Sequence, residues 1–207
     1  MTSEQSNQEV QGLLSPYIRN QRLRQVASLI GENDVVLDLA CGGGYLGKFL
    51  PEQTEYFGVD RIPFGSRGCA ETKDAAHFLT VDLLDDDAPR QISEWLPKPP
   101  TCITMIAFLE HITEPAAFVE TFSKLLASGG RIIGTTPHPV GRKLHDFLSK
   151  IRICSPDGAD EHEEFLGKSA LNQISASSEL KMSDYKRFLF GLNQLFVYTA
   201  DHEPVLA

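Results

Sequence analysis

The segment VVLDLACGGGYLG (35–47) constrains the chain more than any other. A short apolar run with β-branched residues reads as a buried strand. It leads straight into glycines, which let the backbone turn sharply and approach a ligand closely. YLGKFL (45–50) then opens a helix, whose N-terminus offers free N–H groups and a positive dipole end.

The same alternation continues along the chain. YFGVD (56–60), HFLTVDL (77–83), TCITMIAF (101–108) and RIIGTTP (131–137) read as further strands. Residues 13–30 and 114–130 carry apolar side chains at helical spacing, the second with a glycine stop. Strands alternating with helices predict a doubly wound, mostly parallel α/β sheet. Ligands of such sheets bind beyond the carboxyl ends of the strands, and Asp38, Asp60, Asp82, Glu110 and His111 fall there. Residues 140–154 read as an amphipathic helix with four basic residues against Asp146, residues 155–164 as an acidic loop and 165–178 as a helix. Two strands around Gly191 are expected in the stretch 179–200.

Composition narrows the function. At 207 residues, 42% hydrophobic and 23% charged, the chain has the make-up of a globular protein rather than a disordered or fibrous one. It is expected to hold a polar tail at 1–12 and a single domain over 13–207. The net charge of −9 and the lack of a dense Lys/Arg run disfavour broad nucleic-acid binding. Cys41, Cys69, Cys102 and Cys154 show no metal spacing and read as small hydrophobes in a reducing compartment. No apolar run is long enough to span a membrane and the first residues lack a signal-peptide pattern, so a cytoplasmic location is expected.

Two ligand readings meet at the glycines. Gly42, Gly44 and Gly47 satisfy G-x-G-x-x-G, with Asp60 18 residues after Gly42, as in dinucleotide-binding folds. Asp38 argues otherwise, because a carboxylate just ahead of the turn repels a pyrophosphate and welcomes a cation. S-adenosylmethionine (SAM) carries an ammonium and a sulfonium and no phosphate.

VLDLACGGGYLG resembles motif I of the class I SAM-dependent methyltransferases. YFGVD, LTVDLLD, AFLEHITEP and LLASGGRIIGTTP resemble their later motifs in the same order, over about residues 30–140. Ala40 departs from the glycine often found there. The resemblance implies a seven-stranded sheet whose last strand is antiparallel. It implies a methyl transfer from SAM that leaves S-adenosylhomocysteine. It also implies that Asp38, Ala40, Cys41, Gly42 and Gly44 pass near the methionine end and that Asp60, with Arg61 beside it, takes the ribose hydroxyls. Asp82 and the Leu83 backbone would meet the adenine, and Phe108 would flank the cofactor. Residues 140–190 correspond to the substrate-specific region.

Methyl transfer to oxygen also needs a proton removed, and imidazole suits that task at neutral pH. His111 is the first candidate and His138, after the fifth strand, the second. The EH pair further resembles the E-x-x-E-H of metal-dependent ubiquinone-biosynthesis and small-RNA methyltransferases. Here Ala107 replaces the first Glu, leaving Glu110, His111 and the distant His162, so no metal is expected. The expected acceptor is a small molecule methylated at oxygen, with anionic and lipid-linked compounds both open. RNA or protein acceptors and a silent SAM-binding scaffold are the alternatives, and a nicotinamide oxidoreductase ranks last.

Overall fold

Alternation of side chains along each strand decides how the sheet is covered. The computed structural model describes residues 15–66, 77–140 and 166–200. Its strands are β1 (Val35–Leu39), β2 (Glu55–Asp60), β3 (Phe78–Thr80), β4 (Cys102–Ile106), β5 (Arg131–Pro137), β6 (Leu180–Phe188) and β7 (Asn193–Ala200). They form one sheet in the order β3-β2-β1-β4-β5-β7-β6. Neighbours among β1 to β5 are parallel, and β7 runs antiparallel between β5 and β6. The doubly wound sheet with an antiparallel last strand is therefore present.

Val35, Leu37 and Leu39 of β1 point to one face and Val36 to the other, as a period of two requires. The first face packs on α2 (Ala88–Trp95), α3 (Pro115–Ser123) and α4 (Lys168–Ser177), through side chains such as Ile92, Phe118, Phe122 and Ile174. The second packs on α1 (Ser15–Ala27) through Leu23, Val26 and Ala27. Both faces of the central strands are thus covered, which explains why their sequences run apolar without a break.

An ion pair ties the amino edge of the sheet together. Arg131 at the start of β5 donates from Nη2 to Asp34 Oδ2 at 2.6 Å and to the Leu29 carbonyl at 2.9 Å. Asp34 also accepts from the Thr101 hydroxyl and the Gly31 N–H, both at 2.7 Å. Burial pushes the Asp34 carboxyl up, but the bonds from Arg131, Gly31 and Thr101 outweigh it and hold the group below the ordinary carboxylate range.

Two expectations need correction, and one helix was not expected. After the glycine turn there is no α-helix, only a 3-10 turn at Tyr45–Lys48. Gly47 lies inside it, Pro51 follows, and β2 already begins at Glu55. The acidic stretch after Asp82 leads into α2, which the sequence reading passed over. Pro89 fits its first turn, Arg90 pairs with Asp87 at 2.7 Å, and Ala88 and Ile92 are fully buried. The third strand keeps only Phe78–Thr80 of the expected 77–83. The tail, the basic segment after residue 140, the acidic loop with His162, and Cys69 and Cys154 lie outside the described residues. Cys102 is buried and Cys41 half-buried, both as free thiols.

Asp34→Ala should cost about 2–3 kcal/mol in urea unfolding at pH 7, because it strands a half-buried guanidinium. The pair's contribution is present above about pH 4 and lost as pH falls through the lowered folded-state value. The variant should lack that part of the acid dependence.

Candidate active site

The glycine turn folds back on the end of β2. Ala40 leaves β1 in the left-handed region at φ 57°, and the Cys41 N–H donates to the Val59 carbonyl at 3.0 Å. Gly44 is left-handed at φ 69°, and a Cβ there would lie 2.7 Å from the Phe78 ring. Only glycine meets both demands. Phe78 in turn stacks on Phe64 with centroids 3.6 Å apart, closing the side of the turn.

Asp60 fastens this turn from below. Its Oδ2 accepts the Gly42 N–H at 2.8 Å and its Oδ1 the Ile62 N–H at 2.9 Å. Its backbone carbonyl accepts the Val81 N–H at 3.0 Å, which brings the exit of β3 alongside. Each carboxylate oxygen keeps a further acceptor direction, so the group can still receive two hydroxyls.

Asp38 lies deeper. It is 3% exposed and accepts from Thr104 Oγ1 at 2.6 Å and from the Tyr56 hydroxyl at 2.7 Å. Burial pushes its carboxyl up to about 6 against the two hydrogen bonds, and the charge of Asp60 adds to the rise. Burial and the nearby Asp38 raise the Tyr56 phenol well above its usual value, so Tyr56 remains a donor.

Above these groups opens a cleft of about 350 Å³. β1 contributes Ala40 to its wall, and the exit of β2 contributes Asp60, Arg61 and Ile62. The exit of β3 adds Asp82, Leu83 and Leu84, and the exit of β4 adds Phe108, His111 and Ile112. Asp82 Oδ1 accepts the Leu84 N–H at 3.1 Å, a short side-chain turn that presents the intervening Leu83 backbone. Phe108 packs edge-on against Phe118 with centroids 5.5 Å apart.

Seven sequence candidates thus share one cavity: Ala40, Asp60, Arg61, Asp82, Leu83, Phe108 and His111. Asp38, Cys41, Gly42 and Gly44 are not among its lining residues; they build and support the turn beneath it. Nor is His138. Its Nδ1 accepts the Val140 N–H at 3.2 Å and its own N–H donates to the Leu192 carbonyl at 2.8 Å. Burial, then the charge of Arg187, pushes its imidazole below the ordinary value, consistent with an acceptor nitrogen in a turn.

Glu110 is buried at 3% exposure, and among the described residues no group of three or more His, Cys, Asp or Glu gathers to hold a metal. The sequence reading missed Ile62, Leu84 and Ile112, each one residue beyond a candidate it named. It also missed Tyr56 and Thr104. The only signal for Thr104 was register, since it sits directly across from Asp38.

A glycine turn, an acid at the end of β2 and a cleft beside the β1/β4 switch point define an α/β enzyme that holds a nucleoside cofactor. The apolar walls from Ile62, Leu83 and Ile112 suit a base, and the free acceptor positions on Asp60 suit a ribose. Residues 12–182 match the family described as methyltransferase domain, and the chain belongs to that family. It is a SAM-dependent methyltransferase.

Similar proteins point the same way. The ubiquinone biosynthesis O-methyltransferase of Paraburkholderia phytofirmans is 26% identical over 174 residues, covering 80% of this chain and 73% of that protein. The protein of that description from Alkalilimnicola ehrlichii is 26% identical over 197 residues, covering 87% and 75%. Among solved structures, magnesium protoporphyrin IX methyltransferase from Synechocystis with bound SAH has a TM-score of 0.59 at 14% identity, covering 96% and 90% of the chains. A complex between the Haloferax volcanii Trm112 methyltransferase activator and a methyltransferase gives 0.65 at 15% identity, covering 88% of each chain. These likenesses are of fold.

Asp38 gives the site a pH signature. Between about pH 4 and 6 the folded chain holds a proton that the unfolded chain has released. The stability it confers is complete below about pH 4 and is lost as pH rises through 6, roughly 3 kcal/mol in all. Part of this, on the order of 1 kcal/mol, falls between pH 5 and 8. Asp38→Asn should flatten that interval in urea titrations at the two pH values.

Proposed function

We propose that the enzyme methylates a hydroxyl of a small-molecule acceptor, with His111 as general base. The observation that carries this reading is that Asp60, Asp82 and His111 open onto one cleft. The names of the similar ubiquinone-biosynthesis proteins support oxygen as the methylated atom, and the net charge of −9 speaks against a nucleic-acid acceptor.

Bound SAM supplies a methyl group already activated on a sulfonium. The chain's own work is therefore mostly positioning. Asp60 receives the two ribose hydroxyls on its remaining acceptor directions. Asp82 and the Leu83 backbone would hold the adenine, and Ile62 and Ile112 line the same cleft. Arg61 stands exposed beside Asp60 and shields the ribose end. Phe108, braced by Phe118, keeps water from the reacting end. His111 takes the acceptor's hydroxyl proton as that oxygen accepts the methyl. Asp38 acts through the turn: with Tyr56 and Thr104 it fixes the height of the backbone at 40–44. His138, with Nδ1 engaged, has a positioning part at the exit of β5.

The first test is a thermal shift with SAM, S-adenosylhomocysteine and NADH added separately. A ligand at 100 times its dissociation constant adds about 2.7 kcal/mol of apparent stability. Shifts with the first two and none with NADH are expected.

Asp60→Ala removes the two charge-assisted hydrogen bonds to the ribose, each worth roughly 1.5–3 kcal/mol, together with those that hold Gly42 and Ile62. SAM affinity by calorimetry should fall about 100-fold or more, with Asp60→Asn in between. Unchanged affinity would remove the ribose assignment.

For His111→Ala, S-adenosylhomocysteine affinity should hold while turnover falls about 100-fold or more, the worth of a general base. Turnover is scored as S-adenosylhomocysteine release across a panel of phenols and catechols. Equal losses in binding and turnover would make His111 structural.

A further inference from the structure

The β6–β7 connection is built against backbone preference. Leu189, Phe190 and Gly191 stand in succession in the left-handed region, at φ 50°, 56° and 81°. That conformation penalises any residue with a Cβ, and tight turns that need it favour Gly, Asn and Asp. Leucine and phenylalanine occupy it here.

The turn is held by more bonds than a surface loop needs. Gly191 N–H donates to the Phe188 carbonyl at 3.0 Å and Leu192 N–H to the Leu189 carbonyl at 3.1 Å. Arg187 donates to the Gly191 carbonyl from Nε at 3.1 Å and from Nη2 at 2.7 Å. The bond from His138 N–H to the Leu192 carbonyl ties the tip to the exit of β5.

What this braced turn presents is Phe190, at 102% exposure, with Val140 at 62% on the loop tied to it. Among the described residues, neither side chain belongs to a core cluster. Strain retained by a rigid turn that displays an unused aromatic ring points to a contact outside the chain.

The surroundings say what kind. Residues 185–192, YKRFLFGL, hold Lys186 and Arg187 and no acid, in a chain of net charge −9. An apolar tip backed by cations fits a bilayer with anionic headgroups: rings and aliphatic groups enter the boundary, and cations meet the phosphates. A small ligand would need a concavity, and this is a projection.

We propose that the β6–β7 tip is a peripheral membrane contact in which Phe190 enters the interface of an anionic bilayer. One aromatic wedge and two cations make such a contact reversible rather than an anchor. It turns the carboxyl edge of the sheet toward the lipid, and it stands independently of which acceptor is methylated.

The test is flotation of the whole protein with vesicles of phosphatidylcholine alone or of equal phosphatidylcholine and phosphatidylglycerol. Binding is expected to the phosphatidylglycerol vesicles at low salt, weakened by added salt, and reduced about fivefold or more in Phe190→Ser. Phe190→Asn should lose binding equally while its thermal midpoint rises by about a degree or two, since Asn tolerates the left-handed region. An unchanged S-adenosylhomocysteine shift in both variants checks that the cleft is intact. Failure of the wild type to float with either vesicle overturns the proposal, as does equal flotation of Phe190→Ser. A raised midpoint in Phe190→Asn with no flotation of the wild type would reassign the tip to a protein partner.

Discussion

One carboxylate organises the carboxyl edge of this sheet. Asp60 takes the Gly42 N–H on one oxygen and the Ile62 N–H on the other, while its carbonyl takes the Val81 N–H. Three loops leave three different strands, and this residue sets where each of them starts. Both side-chain oxygens are thus engaged by backbone N–H groups, which fixes the carboxylate's orientation. The residue that shapes the cleft is then also the one with acceptor directions to spare for a ligand.

Asp38 plays the opposite part. It is sealed beneath the turn and held by two hydroxyls, and its ionised form carries a desolvation cost. Native chains keep such groups where position matters more than stability, and the alternative of an apolar side chain would leave Tyr56 and Thr104 with buried, unpaired hydroxyls. The Asp34–Arg131 pair at the other edge is exposed enough to be held at lower cost. The two ends of β1 therefore differ in kind, one beside a part-exposed ion pair and one holding a sealed carboxyl.

Much of this was legible in the chain. β5 falls on RIIGTTP and the last two strands flank Gly191 as expected, because β-branched runs and glycine turns are local signals. The site acids could be placed because each lies within two residues of a strand's carboxyl end. What escaped depends on distance. Asp38 reads as a ligand group from its neighbours, yet Tyr56 and Thr104, 18 and 66 residues away, determine that it is buried. α2 escaped because its eight residues include a proline and follow an acidic run, signals that usually mark a loop. The helix expected after the glycines fails for want of chain, since β2 begins so soon. Gly191 marked the turn, but nothing announced that Leu189 and Phe190 would enter the left-handed region with it, because Leu and Phe are the wrong residues for one.

The place of β7 has a consequence for biosynthesis. It is the last strand in sequence but sits inside the sheet, paired with β5 more than fifty residues earlier and with β6 beside it. A growing chain can assemble β1 to β5, and with them the glycine turn and Asp60, while β5 still has an open edge. Pairing that spans a long loop comes late and slowly, so that edge stays unpaired during synthesis and is the surface most in need of a chaperone. The strands that carry the glycine turn and Asp60 are thus made before the hairpin that closes the sheet.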